Sequence, residues 1–170
     1  MSFLKLAAER YSVRKFSSRP VESAKLDDVL QAGRLAPTAC NKQPQRIFVL
    51  QSESARAAVR RSTECHFSAP VVLMICCDVA HSWQSPFTGR TSGEVDAAIV
   101  TTHMMLAAAD LGLGTTWVGY FRPEPLVEFC RLPDGIVPVA LLPIGYPAEE
   151  ATPGPMHDCR EPLNATVKYV

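Results

Sequence analysis

An α+β fold is predicted by three stretches of the chain. From Val95 to Leu111 no Pro or Gly interrupts, and apolar residues fall on every side. A helix that is apolar all round belongs in the centre of a domain or in a bilayer. The bilayer is set aside because a span needs roughly 20 mainly apolar residues, whereas Asp96, His103 and Asp110 interrupt this one. Gly112 fits the left-handed position past a helix end and Gly114 follows it; Thr115 to Phe121, β-branched and aromatic, is then a strand. The other two stretches are strands. VVLMICC, Val71 to Cys77, is a continuous apolar run expected to be covered on both faces. IVPVALLPIG, Ile136 to Gly145, is a second inner strand, with Pro138 and Pro143 expected at its ends, at a bulge, or where no donor is needed. Small residues in the helix would let a second helix approach closely, so it is also a candidate dimer seam.

Composition narrows the function classes. A chain of 170 residues with 47% apolar content is expected to be one domain, residues 1–170, with a sizeable core. Lys plus Arg equals Asp plus Glu at 17 each, so no overall field attracts nucleic acid or an anionic membrane, and both partners are excluded. With no leader or spanning segment in the sequence, a cytosolic protein is expected. The six cysteines have no CxxC pair, and Cys76 and Cys77 point to opposite faces of their strand, so neither structural disulfides nor a metal site is expected.

The remaining elements follow in order. Ser2 caps a helix to Arg10 with Phe3, Leu4, Leu6 and Ala7 on its apolar side. In the RYSVRKF that follows, an extended backbone places Arg10, Ser12 and Arg14 on one side. Two guanidinium forks and a hydroxyl suit a phosphate monoester better than a point-like carboxylate. Ser23 is expected to cap a helix over Lys25 to Ala36 that buries Leu26, Val29, Leu30 and Leu35 and ends at Pro37. The amide-rich loop APTACNKQPQ then offers Thr38, Asn41, Gln43 and Gln45 as directional donors and acceptors, a frequent ligand position. Arg46 to Gln51 is a strand, Ser54 to Arg61 a short helix, and His81 to Gly93, with Trp83 and Phe87 exposed, a lid. Pro123 opens a helix to about Arg131. From Tyr146 the prolines at 147, 153, 155 and 162 leave a tail that cannot form its own core and is expected to wrap another surface.

Four blocks then coincide in order: Arg-x-Ser-x-Arg at Arg10 to Arg14, Ala-Pro-Thr-x-x-Asn-x-Gln-Pro at Ala36 to Pro44, Leu-Gly-Leu-Gly-Thr-Thr-Trp-Val-Gly at Leu111 to Gly119, and Pro-Ile-Gly-Tyr-Pro at Pro143 to Pro147, followed by Arg160. This pattern resembles the FMN-dependent nitroreductase family in one of its shorter forms, over essentially the whole chain. The resemblance implies a sandwich with a mixed central sheet flanked by helices, and an intertwined homodimer with FMN at the subunit interface and residues 146–170 reaching across the partner. It implies that Arg10 and Ser12 hold the flavin phosphate, that Tyr11 contributes mainly backbone, and that Arg14 lies near the ribityl chain or the pyrimidine edge. Pro37, Thr38, Ala39 and Asn41, with Gln43, match the loop that the partner subunit lays against the ring. Trp117, Val118 and Gly119 match the segment beneath it, and Arg160 matches a late basic residue returning to the phosphate. Where the family loop commonly continues Gln-Pro-Trp, Gln45 stands here, and the substrate side is expected to be more polar.

The implied activity is ping-pong hydride transfer from NADH or NADPH through flavin N5 to a small-molecule acceptor such as a nitroaromatic or quinone, with no catalytic residue demanded of the protein. Three alternatives stay open: a specialised flavin reaction (dehalogenation, dehydrogenation or flavin fragmentation), a non-catalytic flavin-binding dimer, and a cysteine enzyme in which Cys40 stands beside a base. Of the histidines, His103 is expected in the helix seam.

Overall fold

The computed structural model describes residues 2–170. Helices α1 (Phe3–Glu9), α2 (Ser23–Leu35), α3 (Glu53–Ser62), α4 (Gly93–Asp110), α5 (Glu124–Cys130) and α6 (Leu163–Thr166) accompany strands β1 (Gln45–Leu50), β2 (Val71–Asp78), β3 (Gly114–Thr115) and β4 (Ile136–Gly145). The strands form one sheet in the order β1-β2-β4-β3. All three strand pairs are antiparallel, and the parallel component is a single bridge between Ser12 and Thr115.

The period of two along β2 builds the two cores. Val71, Leu73 and Ile75 face α2 and α4, where they meet Val29, Val100 and Met104. Val72, Met74 and Cys76 face α3 and α5, where they meet Val59 and Leu126. Covering both faces explains why β2 reads as an unbroken apolar run although its neighbours are antiparallel. The β4 bounds match the expectation, and its register slips by one residue between Ile75 and Cys76, with Pro138 beside the slip. Ser2 caps α1 by accepting the Lys5 N–H. All six cysteines are free thiols, and burial, with the charges of Cys130 and Cys77, pushes Cys76 up to about 12.

Four expectations are corrected. Ser23 is the first residue of α2, whose cap position is Glu22 without a side-chain bond. Leu35 is 71% exposed. The strand expected over Thr115 to Phe121 shrinks to Gly114–Thr115, because its partner residue Pro143 has no N–H to donate; the chain regains β4 only at the Val118 to Leu141 bridge. Within the single chain helix α4 buries one face only: Val95 is 61% exposed, and His103 is exposed with its Nδ1 on the Ile99 carbonyl. No helix among the described residues is long and apolar enough to cross a membrane.

Candidate functional site

The chain leaves α1 at Arg10 and runs extended beside β3. The Val13 N–H donates to the Thr115 carbonyl at 2.9 Å, and the Thr116 hydroxyl donates to the Val13 carbonyl. Val13 is thereby buried, and its neighbours in sequence, Ser12 and Arg14, turn outward into an open cavity of about 360 Å³. Arg10, Tyr11, Ser12, Arg14 and Arg160 all line it, joined by Gly154 and His157 of the tail. Residues 150 positions apart in sequence therefore line one cavity. The Tyr11 side chain does more than was expected of it, because its hydroxyl donates to the Ala151 carbonyl at 3.3 Å and ties the tail down.

The electrostatics of this cavity define what it can hold. Neither Arg10 nor Arg14 makes an ion pair among the described residues, and Arg160 donates only to the adjacent Cys159 carbonyl. Four other arginines pair with carboxylates, Arg19 on Glu22, Arg46 on Asp78, and Arg56 and Arg60 on Glu53, while Arg34, Arg61, Arg90, Arg122 and Arg131 make no ion pair among the described residues. Three arginines lining one cavity without an ion pair, plus Ser12, supply the donors that a multiply charged oxyanion requires. The donor set fits the phosphate of FMN.

Pro37, Thr38, Ala39, Asn41 and Gln43 lie elsewhere. A short 3-10 helix, Ala39–Asn41, shapes this loop, and Cys40, Asn41 and Gln43 adopt left-handed φ of 49°, 52° and 49°. The loop is pinned to the first turn of α4, where Asp96 accepts the Ala39 N–H at 2.9 Å. The arginine cavity instead adjoins the last turn, since Arg10, Tyr11 and Val13 share a cleft with Ala109, Gly112 and Leu113. From position 96 to 109 a helix rises about 20 Å, so one chain keeps the loop and the cavity well apart.

Trp117 is half-buried, Val118 is buried on β4, and Gly119 is exposed with nothing within 4 Å of where a Cβ would stand. Gly119, at the end of this segment, edges a surface opening of about 860 Å³ together with Tyr120 and Arg60 to Glu64. Sequence reasoning missed Asp96 as the anchor of the Pro37–Gln43 loop; the available signal was a carboxylate in the first turn of an otherwise apolar helix. It also missed Asp78. Burial alone would raise that carboxyl, but hydrogen bonds from the His81 side chain and N–H, with the charges of His81 and Arg46, hold it below the ordinary value. The cysteine alternative loses its base: hydrogen-bonded histidines engage Ser68, Asp78 and Ile99, not Cys40.

A family model described as "Nitroreductase family" matches residues 7–68 and 62–146. The chain belongs to the nitroreductase family. A nitroreductase family protein from Clostridium difficile 630 is 38% identical with a TM-score of 0.93, over 99% of this chain and 98% of that one. The FMN reductase [NAD(P)H] of Bacillus subtilis is 28% identical, covering 89% of this chain and 68% of that protein. A nitroreductase-like protein from Exiguobacterium sibiricum, solved in complex with FMN, shares the fold at a TM-score of 0.84 and 20% identity, over 100% of this chain and 98% of that one. Within the nitroreductase fold the unpaired arginines sit where the chain edges past β3, at the open side of the sheet.

Proposed function

We propose that this nitroreductase is an FMN-dependent NAD(P)H oxidoreductase that acts as a homodimer, with residues 1–170 as one FMN-binding unit in the cytosol. The observation that carries the reading is the convergence of Arg10, Ser12, Arg14 and Arg160 on one cavity with no carboxylate among its lining residues. Kinship with an FMN reductase supports the choice of phosphate ester. When bound, FMN accepts hydride from NADH or NADPH and passes the reducing equivalents to an acceptor such as a nitroaromatic or quinone.

The chain's own residues bind and orient. Arg10 and Ser12 take the phosphate, Arg14 lies along the ribityl chain or pyrimidine edge, and Arg160 closes over the phosphate from the tail. Trp117, Val118 and Gly119 offer backbone beneath the ring, and Tyr11 fixes the cavity wall. Pro37, Thr38, Ala39, Asn41 and Gln43 come from the second copy. The separation along α4 argues for this, because the loop cannot reach the arginine cavity of its own chain. A two-fold pairing with the two α4 helices antiparallel sets the loop of one chain against the cavity of the other. It also covers Leu35 and Val95 near one end of α4 and Phe3 and Leu4 near the other, all exposed in the single chain.

Anaerobic addition of NADH, then of NADPH, to the FMN-loaded protein tests the activity. Bleaching of the flavin band by either nucleotide is the expected result, and a flavin that neither reduces is the contrary one.

A further inference from the structure

We propose that Asp96 is a positioning residue for FMN, holding the Pro37–Gln43 loop in its ligand-facing shape and tying it to the hairpin at 84–91. The proposal rests on the reading of that loop as part of the FMN site.

Asp96 is 1% exposed and has no cationic partner among the described residues. Both its oxygens are nonetheless occupied. Oδ1 accepts the Ala39 N–H at 2.9 Å, and Oδ2 accepts the Ser92 hydroxyl at 2.7 Å. The Ser92 oxygen in turn accepts the Trp83 N–H at 3.2 Å, and the Ser92 N–H returns to the Trp83 carbonyl at 2.8 Å. A carboxylate in the first turn of α4 is also favoured by the helix dipole, which replaces the missing counter-ion. One buried side chain thus joins two surface segments that are remote in sequence.

Each segment needs the tether. The loop carries three non-glycine residues in left-handed backbone, a conformation that persists only where the surroundings over-determine it. Its far end is clamped separately, by the Arg46 guanidinium on the Gln43 and Gln45 carbonyls at 3.2 and 2.9 Å, with Asp78 behind it at 2.8 Å. Its near end has Asp96. The hairpin closes through Ser85 N–H to the Arg90 carbonyl and presents Phe87, 94% exposed, at its tip. Its attachment to the body of the protein at Ser92 runs through the same carboxylate, so loop and hairpin are placed as one unit.

FMN titration by fluorescence quenching, with proteolysis of the hairpin as a second readout, tests this on the full chain. Asp96→Ala strands the Ala39 N–H and the Ser92 hydroxyl and is expected to weaken FMN about tenfold, while Asp96→Asn, which keeps an oxygen toward Ala39, restores affinity to within about threefold of wild type. Ser92→Ala cuts only the hairpin link and is expected to speed cleavage between 84 and 91 with near-native FMN affinity; it serves the test even if Asp96→Ala does not fold. Wild-type affinity in a folded Asp96→Ala protein, or an unchanged hairpin in Ser92→Ala, overturns the proposal. If Arg10→Ala/Arg14→Ala still loses FMN in that case, the reading of the site survives; a wild-type protein that takes up no FMN overturns both.

Discussion

Replacing Arg10 and Arg14 together by Ala yields a folded, colourless protein. Each guanidinium removed from a bound phosphate ester forfeits charge-assisted hydrogen bonds worth roughly 1.5 to 3 kcal/mol apiece. Two such losses raise the FMN Kd by about a hundredfold or more. The fold is expected to tolerate the change, and this separates a ligand role from a structural one. Neither side chain is paired with a carboxylate, and both face the same cavity as Arg160, so their removal relieves like-charge repulsion in the unliganded protein. The apo unfolding midpoint stays level or rises slightly. A fluorescence titration against FMN, run beside a thermal melt, checks both halves. Stoichiometric FMN in the double variant would count against the site assignment, and a large fall in the melt would make these arginines structural.

Substituting Gly114 by Val is expected to damage stability and flavin binding together without touching a polar contact. A Cβ at Gly114 would stand 2.5 Å from Val13 Cγ2, 2.8 Å from its Cβ and 3.0 Å from Cγ1. Val13 has nowhere to go: it is 2% exposed, β-branched, and held on both sides by its bonds to Thr115 and Thr116. Overpacking of this kind costs about 1 to 3 kcal/mol. Relief requires the Ser12 to Arg14 backbone to lift off β3, which moves the hydroxyl and one guanidinium of the cavity. Denaturant unfolding is expected to show the loss in midpoint, and FMN titration a Kd raised about tenfold. Full stability with native FMN affinity would mean that the close approach of these two backbones is not what aims the cavity.

Much of this was legible in the chain, and the parts that were not share a physical reason. Alternating Arg10, Ser12 and Arg14 revealed a one-sided donor set because an extended strand enforces that geometry locally. The bounds of β4 and the Ser2 cap were likewise local. Leu35, Val95 and His103 are exposed in the single chain: apolar patterning marks a surface for burial without saying what covers it. The strand after α4 was overextended because its limit is set by Pro143, a residue of its partner strand. Asp96 looked like a blemish in an apolar helix, since its partner, the Ala39 N–H, lies 57 positions away and comes close only in the fold.

One FMN is expected to be held by the arginine cavity of one chain and the Pro37–Gln43 loop of another. Co-expression of an Arg10→Ala/Arg14→Ala chain with a Thr38→Ala/Asn41→Ala chain, each carrying a different affinity tag, tests it most directly. In the purified mixed pair one site combines both defects, and the other combines an intact cavity with an intact loop. Recovery of about one FMN per two chains, from parents that each bind little, is the predicted result. A mixed pair as colourless as its parents would place both halves of the site within a single chain.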